Sequence, residues 1–206
     1  MGSINRAPNM TDYLATRESF RLQVPEVWNY GRDVLDAWAT REPDKLALVA
    51  VGPDGNDARR FSFADMARSS DRAARFLAAQ GVAKGDRVFV MLPRIPDWYD
   101  VVLGCIKLGA VPMPATTMLT ARDVAYRLEA AGARVAVTDA DGTARIDEAA
   151  ARLGRALDAR ICVGPTPEGW ADWAAGLAAV ASGSRQYSVN SPTGRSGLTR
   201  TARWPS

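Results

Sequence analysis

The feature that most constrains this chain is the alternation of short apolar runs with longer stretches of helical spacing, sustained from residue 46 to residue 183. Leu46-Ala-Leu-Val-Ala-Val51, Asp86-Arg-Val-Phe-Val-Met-Leu92, Val111–Met113, Arg134-Val-Ala-Val-Thr138 and Ala159-Arg-Ile-Cys-Val163 have the length and apolar content of strands. Most are separated by ten or more residues with apolar side chains every three or four positions. Parallel strands need a crossover of that length, whereas antiparallel neighbours can be joined by a tight turn. The pattern therefore predicts an α/β fold of right-handed βαβ units around a largely parallel sheet.

Local punctuation places the elements. Residues 1–23 lack periodicity and read as an irregular lead-in. A helix is expected from Trp28 to Thr40, with Tyr30, Val34, Leu35 and Trp38 on one face and Pro43 ending it. Gly52-Pro-Asp-Gly55 turns the first strand back, and Arg60-Phe-Ser-Phe63 is its hairpin partner. Ser62 followed by Asp65 makes a capping box for a helix that turns Met66, Ala73, Phe76 and Leu77 inward and ends at Gly81. Pro96 suits the first turn of a helix running to Leu108. Thr120 with Asp123 opens another, closed by Gly132, and residues 144–155 form the next. A last amphipathic helix carries Trp170, Trp173, Leu177 and Val180 and stops near Gly183.

Composition excludes several chemistries. The 206 residues contain no histidine, which removes His-based triads, His zinc sites and His acid–base catalysis from this chain. The two cysteines, Cys105 and Cys162, lie far apart in apolar surroundings and read as buried thiols. No apolar run approaches the roughly 18–20 residues that cross a bilayer. The N-terminus is polar without a signal-peptide core, and Arg6 stands where a myristoylation signal needs Ser or Thr. A cytoplasmic location is the expectation. The net charge of +3 is less than the four arginines between Ser184 and Ser206, so the rest of the chain carries −1. That distribution argues against a nucleic-acid partner. Residues 184–206 lack periodicity and acidic groups. They read as a basic unstructured tail, and the abrupt change in composition suggests translation out of frame.

Three segments together carry a family resemblance. They are Trp28-Asn-Tyr-Gly-Arg-Asp-Val-Leu-Asp-Ala-Trp38; Phe61-Ser-Phe-Ala-Asp65 with Gly81-Val-Ala-Lys-Gly-Asp-Arg-Val-Phe-Val-Met-Leu-Pro-Arg-Ile-Pro-Asp-Trp98; and Gly104-Cys-Ile-Lys-Leu-Gly-Ala-Val-Pro-Met-Pro-Ala-Thr116. In this order and spacing they resemble the N-terminal portion of AMP-forming acyl-CoA synthetases, the medium-chain subgroup in particular. The resemblance covers residues 24–183, which would be a partial AMP-binding domain. It implies an intact parent that uses ATP, Mg²⁺ and CoA to convert a carboxylic acid, through an acyl-adenylate, into an acyl-CoA. In that family a Ser/Thr/Gly loop ending in Pro-Lys holds the phosphates, with glycines turning backbone N–H groups inward. These 206 residues contain no such loop. Ser191-Pro-Thr-Gly-Arg-Ser-Gly197 has the residue types without the order or the lysine. No catalytic or metal-binding residue is assigned, and the chain alone is expected to bind no cofactor.

The best local candidate for ligand contact is Pro114-Ala-Thr-Thr-Met-Leu-Thr120, which leaves the end of a predicted parallel strand, where α/β sites gather. The resemblance places Thr117 and Met118 on the wall of the CoA tunnel in a complete enzyme. Met118 stands where relatives tend to have glutamine, so a side-chain hydrogen bond would be lost. Other residues have plainer readings. Lys107 on its helix is expected to be solvated or snorkelling, not a phosphate ligand. Asp97, Trp98 and Tyr99 pack a first helical turn, and Lys84-Gly-Asp86 is a turn feeding a strand. Two accounts follow: a synthetase fragment without activity of its own, or a non-catalytic interaction module derived from one. A fragment would expose an apolar face and could self-associate through it.

Overall fold

The structure is a computed structural model that describes residues 10–181, apart from residues 24, 53, 56 and 57. The tail reading at 184–206 lies outside the described residues. Five strands make one parallel sheet: β3 (Arg87–Met91), β4 (Val111–Pro114), β5 (Val135–Asp139), β6 (Ala159–Val163) and β7 (Ala171–Asp172), in the order β4-β3-β5-β6-β7. The predicted hairpin is a separate antiparallel pair, β1 (Leu46–Val51) with β2 (Ala58–Ser62). Helices α3 (Phe63–Ala79), α4 (Pro96–Leu108), α5 (Ala121–Ala131), α6 (Ala140–Arg152) and α7 (Trp173–Ala181) complete the α/β architecture.

The strand order explains how the helices are distributed. The chain moves outward from β3 to β4, then crosses back over β3 to reach β5 and continues in that direction to β6. With one handedness of crossover, reversing direction puts the connecting helices on opposite faces. Helix α4 covers one face together with α3 and α7, and α5 and α6 cover the other. The pleat divides the strand residues accordingly. Val88, Val90, Val135, Val137 and Ile161 point to the first core with Phe76, Leu77, Val101, Cys105 and Trp173. Phe89, Met91, Ala136 and Cys162 point to the second with Val124, Leu128, Ile146 and Trp170. A sheet buried on both faces has near-continuous apolar strands, which is why β3 and β5 stand out in the sequence. Both cysteines are free and buried, and burial pushes the Cys105 thiol up to about 12.

The caps follow the sequence closely. Ser62 and Asp65 form a reciprocal capping box on α3, and Thr120 and Asp123 form one on α5. Pro96 opens α4, and Gly132 ends α5 in the left-handed conformation that favours glycine. The Lys84-Gly-Asp86 turn is held by Asp86, whose carboxylate accepts from the Ala83 N–H at 2.8 Å.

Five expectations are corrected, that for Lys107 most of all. The lead-in contains a helix, α1 (Tyr13–Ser19), capped by Asp12. It buries no residue, so there was no apolar face to give it periodicity. The helix expected from Trp28 is π-helical over Gly31–Asp36 before continuing as α2 (Ala37–Arg41). Helix α6 begins at Ala140, not 144, because the Asp139 side chain accepts from the Gly142 N–H at 3.1 Å and caps it. Trp170 is not part of the last helix. It precedes β7, buried in the second core, and its indole N–H donates to Asp147 at 3.2 Å.

Lys107 departs furthest from its sequence reading. Its side chain is only 7% exposed, and its ammonium donates to Asp36 and Asp71, each at 2.6 Å, and to the Ala67 carbonyl at 3.3 Å. All three N–H donors are used. This ion triad joins the π-helical segment, α3 and α4. Gly31 is needed for the same docking: a Cβ there would lie 2.5 Å from the Lys107 Cγ.

Candidate functional site

The C-terminal edge of a parallel sheet collects the loops that leave its strands, and the expected ligand loop is there. Residues 115–120 follow β4 next to β3, and the Ala115 N–H donates to the Val90 carbonyl at 2.8 Å. Arg145, on α6, fastens the loop from the far side. Its guanidinium donates to the Thr117 carbonyl, to the Leu119 carbonyl at 3.2 Å and to the Asp141 carbonyl of its own helix at 3.3 Å. Thr117 is half-buried under this clamp, whereas Met118 projects outward, 87% exposed, with its N–H donating to Thr116 Oγ1 at 3.3 Å. The two candidate residues are therefore adjacent in sequence but face different surroundings. Arg145 had no sequence signal, since its partners are carbonyls more than 25 residues away.

The clamp makes a measurable prediction. Replacing Arg145 with methionine keeps the helix propensity and removes the donors. Amide exchange at residues 116–120 is expected to speed up about tenfold or more, because the two carbonyls lose charge-assisted bonds that together hold the loop by at least about 1.5 kcal/mol. Exchange in β3 and β5 should not change, which hydrogen-exchange mass spectrometry can read in one experiment.

One strand further in, the connections leave in opposite directions from the parallel neighbours β3 and β5, the position where open α/β sheets usually form a crevice. Here that position is closed by packing. The buried Thr138 hydroxyl donates to the Met91 carbonyl at 2.8 Å, bridging the two strand ends. Gly142 sits directly on Thr138, and a side chain at 142 would collide with the hydroxyl.

The groups at this edge do not fit the phosphates and metal ion that the family resemblance implies. The Arg145 guanidinium is committed to protein carbonyls, and the Asp139 carboxylate to its helix cap. Among the described residues no group of three or more His, Cys, Asp or Glu side chains is placed to hold a metal ion. No reaction step is built on these residues. Asp97, Trp98 and Tyr99 pack as expected: Asp97 accepts from the Trp173 indole N–H at 3.0 Å, and Trp98 meets Tyr99 edge-on at 5.0 Å.

This architecture matches part of the N-terminal domain of acyl-CoA ligases. The Brucella canis acyl-CoA synthetase superposes with a TM-score of 0.68 over 82% of this chain and 31% of that one, at 23% identity. The N-terminal domain of FACL13 from Mycobacterium tuberculosis superposes at 0.57 over 74% of this chain and 36% of that one, at 30% identity. The chain belongs to the AMP-binding enzyme family, which it matches over residues 35–191. Its relatives include the mitochondrial acyl-coenzyme A synthetase ACSM3 of Mus musculus, 33% identical over 169 residues, covering 79% of this chain. The mitochondrial ACSM2B of Homo sapiens is 36% identical over 151 residues, covering 68% of this chain. The chain spans only 29% and 26% of these two relatives' lengths, at their N-terminal end. Among the described residues no helix is long and apolar enough to cross a membrane.

Proposed function

We propose that this chain is the N-terminal part of an AMP-forming acyl-CoA synthetase for medium-chain carboxylic acids, and that these 206 residues by themselves do not catalyse. The complete enzyme would join the acid to ATP, releasing pyrophosphate, and pass the acyl group from the adenylate to the CoA thiol. One observation carries this reading: the chain aligns over 79% and 68% of its own length with less than a third of the ACSM3 and ACSM2B relatives, and contains no Ser/Thr/Gly loop with its lysine. Charge builds on pyrophosphate as it leaves, so adenylation without clustered donors has nothing to stabilise the departing group. In the complete enzyme Thr117 and Met118 would face CoA, on a loop whose shape Arg145 maintains.

Exposed apolar side chains fit a piece taken from a larger domain. Trp28 and Tyr30 before α2, Val49 and Val51 on the hairpin, and Val111 on the edge strand β4 are all more than a third exposed. Self-association through these residues is part of the same reading. So is the reading of residues 184–206 as a basic tail translated out of frame.

The test is acid-dependent exchange of labelled pyrophosphate into ATP by the purified chain, with octanoate and benzoate as substrates. No exchange above the acid-free control is expected. Exchange that depends on the acid would overturn the proposal that the chain is inactive.

A further inference from the structure

We propose that the cleft between β2, α3 and the start of α4 is a seat for a small, multiply charged oxyanion of the phosphate or sulfate class. It lies apart from the loop at the sheet edge and does not depend on the synthetase reading. The cleft encloses about 370 Å³ and brings together Arg60 from β2, Arg68 and Arg72 from α3, and the Ser69–Asp100 pair. Arg68 and Arg72 stand four residues apart, on neighbouring turns of one helix face.

The charges in this cleft are not balanced. Asp65 pairs with Arg68 at 2.6 Å. Among the described residues the Arg60 guanidinium has no hydrogen-bonded or ion-paired partner, although its backbone pairs with β1, and Arg72 acts on Asp100 only through its charge. Three guanidiniums therefore face two carboxylates, and one of those is poorly able to stay ionised. Asp100 is pinned by the Ser69 hydroxyl, which donates to it at 2.5 Å. Burial pushes its carboxyl up to about 6, helped by the negative charge of Asp97 on its own helix and opposed by Ser69 and Arg72. Asp65 is held below the usual carboxylate range by the backbone and side chain of Ser62, and stays ionised throughout. An oxyanion would be matched by the planar donor forks of Arg60 and Arg72, with Phe61 bounding one side.

The sign of the pH dependence follows from these groups. Above about pH 6 the Asp100 carboxylate is negative and repels an anion. As pH falls through that value it becomes neutral, the net charge of the five groups rises from +1 to +2, and anion binding strengthens.

Sulfate is the suitable probe, since its own charge is constant between pH 5.5 and 7.5. Titration calorimetry on the full chain at constant ionic strength should show saturable binding, about fivefold to tenfold tighter at pH 5.5, as expected for one nearby unit charge partly screened by solvent. Arg60→Gln and Arg72→Gln should each weaken binding about fivefold or more, and Arg72→Lys should weaken it less. Asp100→Asn should raise the affinity at pH 7.5 to the pH 5.5 value and flatten the pH profile. A thermal melt at each pH establishes that each variant is folded. The proposal is overturned by absence of saturable sulfate binding at pH 5.5, by affinity unaffected in the folded arginine variants, or by a pH dependence that survives Asp100→Asn.

Discussion

Replacing Trp173 with alanine is expected to destabilise the chain by about 4 kcal/mol and to lower its melting temperature by about 10 °C. Trp173 is 2% exposed and begins α7, the last described helix, laid across the first core. Its ring meets Phe76 of α3 at an edge-to-face angle of 65° with centroids 5.6 Å apart, and its indole N–H donates to Asp97 of α4. The substitution removes a large buried aromatic surface, leaves a cavity and deprives Asp97 of its donor. The neighbouring strand β7 contributes only two residues to the sheet. Trp173→Phe keeps most of the packing and should cost about 1–2 kcal/mol, chiefly the lost hydrogen bond and a smaller cavity. Thermal melts followed by circular dichroism would decide between this account and a peripheral role for α7. A melting temperature for Trp173→Ala within about 2 °C of the parent chain would show that α7 does not anchor the core.

The parts of the fold that were legible in the sequence are those fixed by neighbouring residues. A capping box needs only four consecutive positions, so Ser62 with Asp65 and Thr120 with Asp123 could be placed without knowing the tertiary structure. The apolar runs of β3 and β5 were legible as strands because a sheet covered on both faces makes them continuously apolar. What failed depended on partners distant in the chain. Trp170 has helical spacing with Trp173 and Leu177, but its indole is captured by Asp147 and its ring by Arg160, 5.5 Å away, in the other core. The start of α6 was concealed by Asp-Gly, which resembles a turn. The glycine is there because the backbone closes directly on Thr138.

The candidate site was legible in the same limited sense. Its position at the end of a parallel strand followed from topology, and residues 115–120 do leave β4 at that edge. Its shape did not follow, because the clamp by Arg145 joins a loop to a helix that the sequence shows only as a basic residue on an amphipathic face. The same reason hid the cleft around Asp100. Asp100 reads as a polar residue early in α4, and only the approach of Ser69 and three arginines gives it a distinctive environment.

Replacing Lys107 with methionine is expected to cost about 3 kcal/mol at pH 7.5, and the loss should come from the carboxylates left behind. The methionine fills nearly the same space, so packing changes little. Asp36 and Asp71 would face each other without the ammonium between them. Their side chains are 37% and 48% exposed, which lets water soften the penalty and places the cost at the low end for a broken buried pair. Burial already holds the Asp36 carboxyl above its ordinary range despite the attraction of Lys107. Its ionised form is thus penalised in the fold, and that penalty is relieved as pH falls through the raised folded-state value. Losing the lysine raises that value further. The deficit of Lys107→Met relative to the parent should therefore be largest at neutral pH and shrink as the medium is acidified toward pH 4.5. Neutralising the whole triad, with Asp36→Asn and Asp71→Asn added, should recover stability to within about 1 kcal/mol of the parent, because no uncompensated charge remains. Urea melts of the three proteins at pH 7.5 and 4.5 separate the possibilities. A triple variant as unstable as Lys107→Met, with a deficit independent of pH, would mean that the triad acts through packing. The charge account predicts the opposite on both counts, and with it a specific reason for a lysine in the middle of an apolar helix face: it docks the π-helical segment Gly31–Asp36 onto the α3–α4 layer that supports the sheet.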